Sequence, residues 1–536
     1  MGEVLEFDVV VAGGGHNGLA CAAYLAKAGL RVLVLEGREI LGGNTTTEAL
    51  TTPGFRHDPC ATAFELFQSS PTIRNDELGL RQRGLQFLYP DPVVTMPFED
   101  GTSLTMWRDR QRTVAEIARF SRRDAEAYLE LLTEYDQVKE VFNDHRYTPI
   151  GYGPSLEERL AELPNGNYWK RRCRQSALEV IREYFEDDHV RVFMLWLAFM
   201  TLQPVDRPYT GRLAYALPHG RQANSWTLPA GGAGVLPALL ASFIREHGGE
   251  IRTGEWVTEL LIEGGRCTGV RTAANRLYRA RRAVVSSIHI KHLVEMAPFE
   301  TWGKEFLRGV AQWQAGYTMF VAHYALREPP LYPVDGNRIP AVTAGIAGSS
   351  DNLMRLLNDF QRGQLHLDTP VLLVLTPSVI DPARAPEGYH TLKVVSFLPY
   401  ELAHGGPGRW DAIKEEIAQL LLDHLRRFAL NLRAENIVAH HIESPLDLER
   451  RNPHNWHGTC HGGDLSPAQS DEMRPVPGWA SHRMPIPGLY QTGSTTHPGG
   501  SVTAGPGRNA AWVLLDDLGM PAEAILKAQV PSSRGA

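Results

Sequence analysis

The chain has 536 residues, 43% hydrophobic and 21% charged, enough for large buried cores and too many for one ordinary core, so two or more domains are expected. A net charge of −7 leaves no basic excess to neutralise a phosphate backbone, which argues against a nucleic-acid partner. The five cysteines (Cys21, Cys60, Cys173, Cys267, Cys460) lie far apart, with neither a disulfide framework nor zinc-knuckle spacing, and indicate a reducing compartment.

In chain order, residues 7–12 (FDVVVA) form a β-branched run that ends in glycines, the pattern of a buried strand. Residues 19–27 (LACAAYLAK), closed by Gly29, read as a helix, and residues 31–36 (RVLVLE) as a second strand, which together make a βαβ unit with a parallel pair. Because the strand pattern begins directly after an acidic start, no signal peptide is expected, and a cytoplasmic location is. Residues 121–142 carry Tyr128, Leu131, Leu132, Tyr135, Val138 and Phe142 at helical spacing, with Ser121 and Asp124 as a capping pair. Residues 147–167, rich in Pro, Gly and acidic side chains, read as a connector.

The longest strongly apolar run, residues 193–200 (FMLWLAFM), is under half of the roughly 20 residues that span a bilayer, so no membrane span is expected. It reads as core; its functional alternative is a tunnel wall or a patch resting on lipid, the one basis for peripheral membrane contact. His219, Arg221 and Trp226 are candidates for either a cavity wall or structural packing. Residues 413–428 form a second amphipathic helix, and the chain is expected to end in a flexible tail, 526–536, frayed from Gln529.

Gly13, Gly15 and Gly18 stand as GxGxxG between the first strand and the helix, and Glu36 closes the second strand. Small residues there permit a tight turn and close approach of a pyrophosphate, the helix N-terminus offers free N–H groups, and the carboxylate accepts from a ribose hydroxyl. A dinucleotide site follows. Gly505, Gly507 and Ala510 repeat the pattern as GxGxxA, but too little chain follows for a second nucleotide unit, so a stable nicotinamide site is not expected. His454, His457, His461 and Asp464, with Cys460 among them, have metal-like spacing, yet Pro453, Gly458, Gly462 and Gly463 argue against one helical face presenting them; no metal is expected.

After Glu36 come Arg38 and a second glycine pair, Gly42-Gly43, followed by Asn44 and Thr45. In this context the chain resembles the FAD-binding fold of amine oxidases and carotenoid desaturases, which usually carry Arg where this chain has Asn44. Residues 229–234 (PAGGAG), 247–251 leading through Val257 to Gly269-Val270, and 283–287 (AVVSS) are similar to further segments of that superfamily. Residues 488–509 (GLYQTGSTTHPGGSVTAGPGRN), the HNGL form of the first loop, and Asn452-Pro453 through His457-Gly458 to Gly463-Asp464 resemble the phytoene dehydrogenase-related branch. That branch includes desaturase-type ketolases and a pyridine nucleotide-disulfide oxidoreductase-like group.

The resemblance implies an α/β fold: a discontinuous Rossmann-type FAD-binding domain (1–90, 221–290 and 441–525) with an interleaved α+β substrate domain (91–220 and 291–440). It implies FAD contacts from Gly13, Gly15, Asn17, Gly18, Glu36, Gly37, Arg38, Gly42, Gly43, Asn44, Thr45, Val257, Gly493, Ser494, Gly500, Ser501 and Val502. His497 is the first catalytic candidate and His457 the second. The implied activity is removal of hydride from an apolar or amphipathic organic substrate beside the flavin, with oxygen or a quinone as electron acceptor. Desaturation or oxidation of an isoprenoid is the first expectation; amine or alcohol oxidation, and a flavin-bound scaffold with little turnover, are the alternatives.

Overall fold

The computed structural model describes residues 5–334 and 336–530. Strands Leu5–Ala12 and Val32–Leu35 pair in parallel around helix His16–Lys27, which starts at His16 rather than Leu19 because the glycine turn runs straight into it. Glu250–Arg252 adds in parallel beyond Val32–Leu35. On the other side come Leu277–Ser286 and, at its C-terminal end, Leu489–Gln491, again parallel. The antiparallel hairpin of Val257–Glu263 and Arg266–Thr272 completes this seven-stranded sheet against the start of Leu277–Ser286.

Alternation along the first strand explains its apolar run. Val9 and Val11 face a core made with helices His16–Lys27, Val235–Glu246 and Gly505–Asp517, while Val10 and Ala12 face a second core containing Trp302, Phe306 and Trp313. The helical layer is tight because its side chains are small. A Cβ on Gly507 would lie 2.3 Å from the carbonyl oxygen of Asn17 and 2.9 Å from Ala20 Cβ, so helices Gly505–Asp517 and His16–Lys27 meet nearly backbone to backbone. The GxGxxA pattern is therefore a helix-packing seat.

The second seven-stranded sheet is ordered Ile437–Glu443, Phe320–Leu326, His390–Ser396, Leu372–Leu375, Thr343–Ile346, Val94–Pro97, Ser103–Met106, and is antiparallel except where Thr343–Ile346 meets Val94–Pro97. Leu372 and Val374 face helix Trp410–Arg426, which covers one side; Leu373 and Leu375 face the opposite core, built with helices Arg122–Asp136 and Asp188–Phe199.

Several boundaries differ from expectation. The helix expected over 121–142 is two, Arg122–Asp136 and Lys139–Arg146, because the chain turns where Asp136 is held by Lys139 Nζ (2.6 Å) and His219 Nε2 (2.8 Å). Ser121 caps the first through its hydroxyl, but the Asp124 carboxylate accepts from the N–H groups of Glu186 and Asp187 instead of closing the box. The expected connector contains helix Leu156–Ala161, started by a Ser155–Glu158 capping box. Domain limits at 220/221 and 440/441 would cut helix Leu213–Asn224 and strand Ile437–Glu443, whose hydrogen bonds keep each intact. The tail drawn from 526 begins inside helix Ala522–Lys527: Leu526 is buried, and Lys27 Nζ donates to the carbonyls of Leu526 (3.0 Å) and Ala528 (2.6 Å). The rest of that tail, 531–536, lies outside the described residues.

Residues 193–199 lie in helix Asp188–Phe199 and are fully buried, which removes the lipid-patch alternative for that run. No helix among the described residues is long and apolar enough to cross a membrane.

Candidate active site

The glycine turn and the loop after the second strand are zipped together. Gly13 N donates to Leu35 O (2.8 Å), Gly42 N to Gly14 O (2.8 Å) and His16 N to Gly42 O (3.3 Å). Gly13 needs its φ of +103°, and a Cβ on Gly18 would come within 2.2 Å of Gly13 O, so a side chain at either position would break the turn. Gly15 is different. A Cβ there would meet nothing nearer than Gly43 Cα at 4.0 Å, because this face opens onto a cavity of about 570 Å³.

All of the expected FAD-contact residues, from Gly13 to Val502, line this one cavity. Glu36 Oε2 accepts from Gly14 N (2.8 Å) and Oε1 from Arg38 N (2.9 Å); burial raises its pKa, and those backbone donors oppose the rise. The charged side chains of the lining, Glu36, Arg38, Glu255 and Glu295, gather where the ends of the second strand and the hairpin meet, beside Trp256 and Val257. Trp256 also fixes Gly37, since a Cβ there would lie 2.2 Å from its indole.

The other part of the wall is apolar and was not anticipated from sequence. Met200, Leu202, Met319, Leu373 and Phe397 line the cavity as parts of one hydrophobic cluster with Cys60 and Cys460. Of these, only Met200 had a local signal, as the last residue of the run 193–200.

Histidines line the space between. Burial lowers the pKa of His16, His454 and His461 to about 4, and that of His289 well below its usual value, with His454 and His292 adding to the effect. At neutral pH these rings are uncharged. His454 Nε2 pairs with Ser494 Oγ, and His289 Nε2 lies 3.1 Å from Gly462 O.

Neither catalytic candidate lines the cavity. His497 is buried, with Nε2 3.0 Å from the backbone oxygen of His145 and Nδ1 3.3 Å from Asp471 Oδ1, so its ring turns away from the glycines that follow it. His457 is stacked between Tyr400 (ring centroids 4.9 Å apart) and Trp456 (4.0 Å), beside a separate surface groove. His454 and His461 thus face the cavity while His457 faces the groove, and the three do not gather as a metal-competent group. His219, Arg221 and Trp226 are also structural: His219 holds Asp136, Arg221 lies 3.7 Å over the Trp226 ring, and Trp226 Nε1 donates to Thr62 O (2.8 Å), one residue of the cavity wall.

The cradle fits a dinucleotide. Gly15 leaves the N-terminus of helix His16–Lys27 uncovered, Glu36 stands at the end of the second strand, and His16 Nε2 and Asn17 Oδ1 are buried with no partner of their own.

Similarity to known proteins runs the length of the chain. It is 28% identical to a subunit of limonene dehydrogenase from Castellaniella defragrans, over 97% of this chain and 96% of that protein. It is 28% identical to pyridine nucleotide-disulfide oxidoreductase domain-containing protein 2 of Mus musculus, over 96% and 94%. Against the lycopene-forming phytoene desaturase of Pseudescherichia vulneris the identity is 24%, over 95% and 99%. Among solved structures, putrescine oxidase bound to putrescine superposes with a TM-score of 0.62 at 17% identity, over 96% of this chain and all of that one, a likeness of fold. With residues 18–514 matching its sequence pattern, the chain belongs to the flavin-containing amine oxidoreductase family, and its cofactor is FAD.

Proposed function

We propose that this FAD-dependent oxidoreductase withdraws electrons from a neutral, apolar substrate of isoprenoid type, with oxygen or a quinone as the final acceptor. The charged residues of the cavity lining, Glu36, Arg38, Glu255 and Glu295, lie by the second strand and the hairpin, and the observation that carries this reading is the wall of Met200, Leu202, Met319, Leu373 and Phe397, none of them charged. An ammonium substrate would lose its hydration there with no carboxylate to replace it, whereas a hydrocarbon gains about 25 cal/mol for each Å² removed from water. The names of two relatives, limonene dehydrogenase and phytoene desaturase, agree with the hydrocarbon reading.

FAD, when bound, supplies a two-electron acceptor. The chain supplies position and dryness. In this reading the 13–18 turn and Gly42-Gly43 hold the pyrophosphate, Glu36 the ribose, and Gly493, Ser494, Gly500, Ser501 and Val502 flank the ring end. The apolar wall orients the substrate and excludes water, and the neutral histidines add hydrogen-bonding capacity without net charge.

Leu373→Lys tests the reading, because it places an ammonium in the chamber and leaves the cradle untouched. Flavin content should stay at the wild-type level while substrate-driven flavin reduction falls at least about tenfold, an unpaired buried charge costing several kcal/mol. Wild-type reduction by this variant would contradict the assignment.

A further inference from the structure

Outside the cavity, three side chains from distant segments converge. His145 lies in the last turn of helix Lys139–Arg146, Asp471 sits in a short 3₁₀ turn, and His497 stands three residues before Gly500 of the cavity wall. His145 Nε2 is 2.9 Å and His497 Nδ1 3.3 Å from the same oxygen, Asp471 Oδ1, and one donor atom of each residue lies within 4.8 Å of the other two.

The tautomer of His497 is constrained. Its Nε2 lies 3.0 Å from the His145 carbonyl oxygen, which only accepts, so Nε2 carries the hydrogen. In the neutral ring Nδ1 then holds a bare lone pair, buried and without a hydrogen-bond partner, 3.3 Å from a carboxylate oxygen. Two lone pairs at that separation repel unless a proton or a metal cation lies between them. A histidine whose outer N–H is fixed by a backbone carbonyl is the usual preparation for metal ligation. Donor separations of 2.9 and 3.3 Å are close to the edge of about 3.3 Å of a tetrahedron around a cation bound at about 2.0–2.1 Å. The adjacent Arg474 makes no direct ion pair with Asp471; its guanidinium donates to the carbonyls of Ser494, Asp464 and Gln469. Asp471 is partly exposed, which leaves a path from solvent.

We propose that His145, Asp471 and His497 form a binding site for a divalent cation of the zinc class, with water completing its coordination. Such a cation staples helix Lys139–Arg146 to the loop that carries Gly500, Ser501 and Val502 to the cavity, and so acts on structure rather than on the reaction.

The test uses untagged, flavin-loaded protein, dialysed against chelator and titrated with ZnCl2 by calorimetry, with CoCl2 as a coloured probe read at wavelengths beyond the flavin bands. The expected result is one equivalent of Zn2+ per chain, a higher melting temperature with Zn2+ present, and a cobalt absorption band. Asp471→Asn and His145→Gln should each weaken binding at least about tenfold, while His440→Gln, at the exposed pair with Glu415, should leave it unchanged. Absence of Zn2+ binding by the wild type, or equal affinity in whichever of the two site variants folds, overturns the proposal.

Discussion

The side-chain amide of Asn452 donates to Asn44 Oδ1 at 3.0 Å, and the amide of Asn44 in turn donates to Asn455 Oδ1 (2.6 Å) and to the carbonyl of Cys460 (3.2 Å). The position at which related families usually carry Arg is thus used here to close the second glycine loop onto the segment 452–460, which lines the cavity from the far end of the chain. Asn44→Asp keeps the shape and removes both donors, setting a carboxylate against two acceptor oxygens. FAD affinity, read by fluorescence titration of stripped protein, should fall roughly tenfold, in line with the 1–3 kcal/mol cost of buried polar groups left unpaired. Unchanged affinity would mean that the knot does not shape the cradle.

The helical layer that carries the cradle has one buried ion pair at its centre. Arg508 binds Glu77 through two nitrogens (2.8 and 2.9 Å), and Tyr24 OH donates to the same carboxylate at 2.6 Å. Both charged side chains are almost wholly buried. Glu77→Ala should cost about 3–5 kcal/mol because it strands a buried guanidinium, whereas Glu77→Leu combined with Arg508→Met should cost clearly less. Urea unfolding of the two proteins measures the difference; an equal loss would show that the pair itself, and not the orphaned charge, dominates.

Acid should weaken the fold in a defined window. His16, His454 and His461 have folded pKa values near 4, depressed from 6.5, so between those values the unfolded chain binds protons that the folded chain refuses. Their contribution is fully present above pH 6.5 and is lost as pH falls toward 4, by roughly 3 kcal/mol for each ring when fully expressed. Melting temperatures measured from pH 8 to pH 4 should be level and then drop through this window. A flat profile would show that the rings protonate freely in the folded state.

The cradle was legible in the sequence because its constraints are local: a strand, glycines at fixed offsets, a helix and an acidic residue lie within one short stretch. The apolar chamber was not. Leu373 lines the cavity, while its neighbours Leu372 and Val374 face helix Trp410–Arg426, and nothing in the local sequence sets the three apart. His497 shows the complementary difficulty. Gly500, Ser501 and Val502 reach the cavity as the family resemblance implies, but the histidine ring just before them is drawn to His145 and Asp471, partners hundreds of residues away or across a loop that sequence spacing does not connect. Three metal-competent side chains from three segments leave no motif, whereas the histidines of 454–461, which have the spacing, do not gather their ring nitrogens at one point.

The most direct measurement is anaerobic bleaching of the bound flavin, followed by absorbance, with three substrate classes offered at equal concentration: monocyclic or linear isoprenoids, primary amines such as putrescine, and NADH. The chamber of Met200, Leu202, Met319, Leu373 and Phe397 predicts saturable bleaching by an isoprenoid and none of comparable rate by the amine or by NADH. Bleaching by amines or NADH with the isoprenoids inert would contradict the account at its centre.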